Sequence, residues 1–255
     1  PACGTEDLEL EISSEREGEI ESGQLGCPSC HERFPIVRSI PRFTPPDNYA
    51  NTFGFQWNRF RLTQFDSHSR TSISRDRLLE QTRWSDEMLN GATVVDAGCG
   101  AGRFAEIALD MGAEVFALDY SNAVDACWEN LGPHPNLHLL QADILALPLK
   151  QTSFDYVYSF GVLMHLPEPQ ASFDSLVPLL KAPDGRIVVD VYGKSWMTRL
   201  NTKYWVRPIT KRLPMGFMFR VIQIGVPLIL PIIHLLERIP LVGKLIQRAV
   251  PIADY

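Results

Sequence analysis

Val94-Val95-Asp96-Ala97-Gly98-Cys99-Gly100-Ala101-Gly102-Arg103-Phe104 is the stretch on which the fold turns. An apolar run closed by an acid passes straight into glycines at alternate positions. Glycine lets a backbone turn sharply off a strand and lets a ligand approach the main chain where a side chain would clash. Outward from this turn, apolar strand segments at Thr93–Ala97, Glu114–Asp119, Leu137–Gln141, Phe154–Phe160 and Arg186–Tyr192 alternate with helical ones. The helical segments are Arg103–Met111, Asn122–Leu131 and Pro169–Leu180. The alternation predicts an α/β protein with a Rossmann-like, doubly wound, mostly parallel sheet, its ligand at the carboxyl ends of the strands.

Two nucleotide-binding readings of the loop are disfavoured by its own residues. A dinucleotide fingerprint needs Gly or Ala where this chain has Arg103, and no Gly-Lys-Ser/Thr triphosphate loop occurs. What Asp96 followed by Gly98, Gly100 and Gly102 does resemble is motif I of the class I S-adenosylmethionine (SAM) dependent methyltransferases. The resemblance covers roughly residues 92–192, with later elements in order. It implies that Asp96 and the glycine backbone hold the amino-acid moiety of SAM. Asp119, 23 residues after Asp96, would accept the ribose hydroxyls, and Tyr120 would flank the adenine. Asp143 would receive the adenine amino group, with Ile144 packed on the ring. Taken alone, Asp143 is equally a helix cap and Tyr120 an ordinary turn residue. Phe160 ends the fourth strand, and Gly161-Val162-Leu163-Met164-His165-Leu166 matches the loop that closes over the methionine end. His165 is the candidate catalytic base, because imidazole titrates near neutrality; the alternative is a structural histidine bonded to backbone. Methyl transfer is an in-line displacement at a sulfonium carbon, so a base is needed only where the acceptor must lose a proton.

Ahead of this core lies a cysteine pattern. Cys27-Pro28-Ser29-Cys30 is a C-P-x-C knuckle, and Pro1-Ala2-Cys3 repeats its last three positions. Structural zinc takes four ligands, commonly from two such pairs, so Cys3, Cys27 and Cys30 are candidate ligands and a fourth cysteine is expected just before Pro1. The segment is similar to the small zinc ribbon found ahead of some methyltransferase domains and in the tRNA-methyltransferase activator family. Cys27–His31 also fits the C-x-x-C-H haem pattern, which needs export and an axial partner; ordinary cysteines are the remaining reading. Residues 5–24 alternate acidic and apolar positions, as in a hairpin of two short strands. Pro35, Pro41, Pro45 and Pro46 suit an extended linker better than an element interior. The expected organisation is a ribbon-like module at 1–43 and an aromatic linker or lid at 44–90, with a helix from Ser74 to Trp84. The SAM-binding core follows at 91–192, and a basic apolar segment at 193–255.

The composition bounds the rest. With 255 residues, 45% hydrophobic and 21% charged, the chain has a globular balance, and 24 basic against 30 acidic residues argue against nucleic-acid binding through bulk positive charge. The charge is unevenly divided: residues 1–191 carry 14 basic and 28 acidic residues, and residues 192–255 carry 10 and 2. Within the basic segment, Leu213–Leu236 is almost continuously apolar, yet its longest uncharged run, Val221–Leu236, has 16 residues, short of the roughly 20 a membrane span requires. It either lies peripherally on an anionic membrane, covers a lipid-like acceptor, or buries its apolar face on the domain or in a dimer. The family sheet ends with two further strands that residues 193–255 do not supply, so truncation at Tyr255 is expected. Five cysteines and no apolar leader near Pro1 point to a cytoplasmic location, with contact at the membrane surface. The sequence thus implies a SAM-dependent methyltransferase with a hydrophobic small-molecule acceptor such as a quinone, lipid or natural-product precursor. The alternatives are a non-catalytic SAM-binding or zinc-ribbon adaptor and a nicotinamide-dependent oxidoreductase.

Overall fold

The structure is a computed structural model that describes residues 3–4, 7–16, 18–46, 48–191, 193, 207–210 and 212–237. The chain divides into two compact units, residues 1–191 and 192–255.

In the first unit, five strands pair in parallel: β5 (Thr93–Ala97), β6 (Glu114–Asp119), β7 (Leu137–Gln141), β8 (Tyr156–Ser159) and β9 (Arg186–Val189). Their order is β7-β6-β5-β8-β9, so the direction of winding reverses at β5. Such a reversal opens a crevice beyond the carboxyl ends of the central strands. Register aligns those ends, with Ala97 opposite Leu118 and Asp119 opposite Gln141. Asp96, Asp119 and Asp143 therefore all come to one edge of the sheet.

Successive residues of a strand point to opposite faces, and β5 shows it. Val94 joins the apolar cluster of Ala105, Ala108, Val115 and Val124, while Val95 joins that of Leu118, Val157, Leu163 and Leu176. The first face is covered by α3 (Ile73–Thr82), α5 (Arg103–Asp110) and α6 (Ala123–Leu131), the second by α7 (Pro169–Leu176). Both faces of the parallel sheet are thus dry, which is why its strands read as continuous apolar runs.

One carboxylate staples the start of this sheet. Asp155 Oδ2 accepts from the Thr93 N–H at 2.8 Å, the Thr93 hydroxyl at 2.8 Å and Lys181 Nζ at 2.9 Å. Partial burial pushes its pKa up, but the Thr93 N–H and Lys181 outweigh this and hold it below the usual carboxylate value. A group depressed in the folded state stabilises above its ordinary pKa and loses that contribution as pH falls. Asp155→Ala is expected to cost about 2 kcal/mol near neutral pH, and progressively less toward pH 3, by thermal denaturation.

The N-terminal region forms an antiparallel sheet in the order β1 (Glu9–Arg16), β2 (Glu19–Gly26), β3 (Arg33–Val37), β4 (Ile40–Pro41). The sequence reading of a two-strand hairpin followed by a proline linker is corrected here: Pro35 and Pro41 lie inside strands. The Pro35 carbonyl accepts from the Arg42 N–H at 2.9 Å. Its ring nitrogen therefore faces the same side, toward the two-residue edge strand, and no bond to β2 is lost. Prolines are tolerated at such edges. The sheet then closes against the open edge of β7, where the Phe43 N–H donates to the Gln141 carbonyl at 2.7 Å. Arg42 donates to Gln141 Oε1 at 2.9 Å and pairs with Asp125 of α6 at 2.8 Å. An edge strand that would otherwise offer free backbone groups is covered.

Between the sheets run α1 (Asn51–Arg59), α2 (Asp66–Ser69), α3 and α4 (Asp86–Leu89). Buried Asp66 sets the entry to α3, accepting from the N–H groups of Ser74 at 3.0 Å and Arg75 at 2.9 Å.

The second unit contributes α8 (Met215–Glu237), which runs through Pro227 and Pro231. Among the described residues no helix is long and apolar enough to cross a membrane. The further apolar stretch at Leu241–Ile246 lies outside the described residues.

Candidate functional site

The turn after β5 is built from three glycines in the left-handed region, with φ of +95° at Gly98, +55° at Gly100 and +93° at Gly102. Their surroundings differ. A Cβ on Gly98 would fall 2.3 Å from Val162 Cγ2, and one on Gly102 would fall 2.7 Å from Cys127 Sγ. These two glycines therefore let the loop after β8 and helix α6 close onto the turn. Gly100 lies beneath the indole of Trp57, whose Nε1 would stand 3.1 Å from a Cβ there.

Asp96 is almost fully enclosed at 2% exposure. Among the described residues, its Oδ2 and the hydroxyl of Tyr158, which lies beside it, make no hydrogen bond of ordinary geometry. Burial, with the Asp119 charge adding to it and the Tyr158 hydroxyl partly offsetting it, pushes the Asp96 pKa up to about 7. A buried carboxylate with an unused oxygen suits a cationic ligand, because an uncompensated charge there is costly.

Asp119 does more than the sequence reading assigned. Its Oδ2 accepts from the Gly100 N–H at 3.0 Å, and Oδ1 accepts from the Ser121 N–H at 2.9 Å and hydroxyl at 2.7 Å. It clamps the glycine turn to the end of β6. An ionised carboxylate has about four acceptor sites, so three are engaged and the remaining one is on Oδ2. Burial raises its pKa against these donors.

The other sequence-derived residues take distinct positions. The Tyr120 ring stacks on Tyr49 at 5.0 Å between centroids. Its carbonyl accepts from Asn48, Thr44 and Gln141 side chains. Asp143 caps the short turn Ile144–Ala146, accepting from the Leu145 N–H at 2.9 Å. Ile144 is buried in the cluster with Leu163 and Leu176. Phe160 is part of the aromatic core, edge-on to Phe104 at 5.2 Å and stacked on Tyr158 at 5.4 Å. His165 is exposed on the loop after β8, its ring 5.4 Å from that of Phe53.

Several side chains without an assigned role in the sequence border the site. Tyr49, Phe53 and Trp57 come from the aromatic segment at α1, whose Asn58 amide donates to the Asn122 carbonyl at 2.8 Å. Their clustering was the available signal. Arg77 and Asp190, 113 residues apart, had none: they pair at 2.6 Å, and Asp190 also accepts from the Gly161 N–H. This clasp ties α3 and the end of β9 to the loop bearing His165.

A second cluster lies in the N-terminal sheet. The sulfurs of Cys3, Cys27 and Cys30 lie within 4.8 Å of one another, an arrangement that could hold a metal ion. Cys27 Sγ is 3.5 Å from Cys3 Sγ and accepts from the Cys30 N–H at 3.3 Å. Burial opposes ionisation of Cys27, but the Cys30 N–H and the neighbouring thiols bring its pKa down to about 7. Three soft sulfur donors, one of them near its thiolate form at neutrality, match the preference of zinc.

Comparison with known proteins bears on the parallel sheet. The family described as a methyltransferase domain matches residues 95–189. Phosphoethanolamine N-methyltransferase 2 of Caenorhabditis elegans is 30% identical over 110 residues, covering 42% of this chain and 25% of that protein. A ubiquinone biosynthesis O-methyltransferase of Xylella fastidiosa is 28% identical over 131 residues, 50% of this chain and 53% of that protein. Among solved structures, a SAM-dependent methyltransferase from Mesorhizobium loti is 32% identical with a TM-score of 0.37, covering 40% of this chain and 47% of that one. The chain thus spans between a quarter and about half of the length of the curated relatives it matches. Order of motifs, sheet topology and family match agree, and residues 95–189 form a methyltransferase domain of the class I S-adenosylmethionine-dependent kind.

Proposed function

We propose that this chain transfers the methyl group of SAM to an oxygen or nitrogen of a small, hydrophobic or amphipathic acceptor. The observation that carries the reading is the enclosed Asp96, with one oxygen unused, behind a left-handed glycine turn that Asp119 clamps from the next strand. When bound, SAM supplies an electrophilic methyl group on a sulfonium. Asp96 would balance the positive charge of its amino-acid end, Asp119 would accept a ribose hydroxyl, and Tyr120 with Asp143 would border the base. Tyr49, Phe53 and Trp57 exclude water from the reacting groups, which strengthens every electrostatic contact there. His165 takes the proton where the acceptor is a hydroxyl. Support for the acceptor class comes from relatives named for ubiquinone biosynthesis and for phosphoethanolamine N-methylation. The basic apolar C-terminal segment is, in this reading, a peripheral contact with an anionic membrane surface.

Calorimetry with SAM, its demethylated product and NAD tests the cofactor. Binding of SAM and its product without NAD is expected; binding of NAD alone would overturn the reading. Incubating lysate extracts with methyl-labelled SAM and the chain, then finding labelled small molecules by mass spectrometry, separates an enzyme from a non-catalytic adaptor.

The raised Asp96 pKa gives a pH signature. Below about pH 7 the carboxyl is protonated in the free protein. A cationic ligand favours the anion, so binding releases a proton there and strengthens by up to about tenfold per pH unit toward 7. Above 7 the dependence flattens. Asp96→Asn is expected to abolish the slope. In the ligand-free chain the same shift runs the other way for stability: its contribution is complete below the ordinary carboxylate pKa and is lost as pH rises through 7. Asp96→Asn is therefore expected to melt higher than the parent at pH 8 but not at pH 4.

The cysteine cluster is proposed to hold structural zinc, with Cys3, Cys27 and Cys30 as ligands. Plasma emission analysis of a chain carrying a cysteine ahead of Pro1, which completes four ligands, is expected to find about one zinc per chain after purification without chelator, and almost none in its Cys27→Ser variant. Equal zinc content in both would exclude the site.

A further inference from the structure

Resting on the peripheral-membrane reading above, we infer that one face of α8 is a docking surface for an anionic lipid bilayer. Phe217, Val221, Ile224, Leu228 and Leu235 recur at intervals of three, four and seven residues, which lines them along one side of the helix. All are exposed, Ile224 at 66%, Leu228 at 68% and Leu235 at 65%. Ile222 and Ile229, at 53% and 54% exposure, widen the band. An apolar band of this length lies well beyond the scattered hydrophobic residues of an ordinary surface and marks an interaction site. The half-buried Phe219, Val226 and Leu230 and the buried Ile233 follow the same spacing on another side, so the band is not the less exposed face of the helix.

Three features choose a membrane surface over a protein partner. First, the band is bordered by a wet stripe, with Arg220, Gln223, Pro227 and Pro231 spaced three or four residues apart. Proline lacks an N–H, so the carbonyls four residues earlier, those of Gln223 and Pro227, lose their helical donor and must find water or a headgroup. A helix with an apolar band beside a hydrated stripe suits the plane of the headgroup boundary. Second, residues 192–255 hold 10 basic and 2 acidic residues. That excess repels a second copy and attracts anionic lipid. Third, Arg212 and Arg220, both exposed, fall within six residues of the start of α8, where the helix dipole adds positive charge.

The test uses the 255-residue chain and two vesicle preparations: phosphatidylcholine alone, and phosphatidylcholine with phosphatidylglycerol at two to one. Co-sedimentation with the anionic vesicles is expected, about tenfold or more weaker on neutral ones, and weakened by added salt. Ile224→Asp with Leu228→Asp should abolish it. Arg212→Glu with Arg220→Glu should remove the preference for anionic lipid, with helicity by circular dichroism unchanged as the control for folding. Equal binding to both vesicle types overturns the inference, as does absence of binding. A dimer in light scattering that Ile224→Asp dissociates would make the face an interface between copies, and also overturns it. If the Ile224/Leu228 variant binds anionic vesicles as well as the parent, this face is wrong while the peripheral reading survives. SAM calorimetry on the same samples reports the cofactor site independently.

Discussion

Replacing Gly98 with alanine is expected to lower the melting temperature by about 5–15 °C and to abolish measurable SAM binding. The backbone there has φ of +95°, and the added methyl would lie 2.3 Å from Val162 Cγ2. A left-handed conformation costs a non-glycine residue about 1–2 kcal/mol, and overpacking a tight contact adds about 1–3. Neither term has a cheap escape. Val162 sits on the loop carrying His165, and a shift of the turn would break the bonds from the Gly98 and Cys99 N–H groups to the Leu118 carbonyl, at 2.7 and 2.9 Å. The double variant Gly98→Ala, Val162→Ala separates the terms. It removes the methyl contact but not the backbone strain, so about half of the lost stability should return in calorimetry. Full recovery would mean that the positive φ contributes nothing, and no recovery would mean that the Val162 contact is irrelevant.

Asp119→Ala is expected to weaken SAM binding at least about a hundredfold. Hydrogen bonds to a charged group contribute about 1.5–3 kcal/mol each. Here one carboxylate serves the ligand and holds the Gly100 N–H that shapes the turn. Asp119→Asn keeps one acceptor oxygen and should fall between parent and alanine variant. Ser121→Ala removes only the hydroxyl donor to Oδ1, and its effect should stay within about fivefold. An Asp119→Ala protein with parental affinity by calorimetry would remove this residue from the site.

Legibility in the sequence divided along physical lines. The five parallel strands were readable because burial on both faces makes each a short apolar run between helical segments, a local signal. The glycine turn was readable because only glycine accepts its conformation at no steric cost. Its meaning changed in part, however. Gly98 and Gly102 accommodate Val162 and Cys127, and neither neighbour could be named from spacing. Pro35 and Pro41 misled for a related reason. Proline is excluded from strand interiors only where its nitrogen must donate, and which side that nitrogen faces is set by the partner strands. Asp143 took the local role open to it alone, a turn cap, and Tyr120 stacks on Tyr49, a neighbour that spacing could not name.

The winding of the sheet, the turn at Asp96–Gly102, and the split between an acidic body and a basic apolar tail follow from the order of residues along the chain. These depend on periodicity, backbone conformation and composition, which are properties of neighbouring residues. Packing added the particular contacts of Tyr49 with Tyr120, Phe53 with His165 and Trp57 with Gly100, and the clasp of Arg77 and Asp190 on the loop after β8. It also left one band of α8 bare. Such contacts join positions tens to more than a hundred residues apart, and they exist only once packing has brought distant elements together.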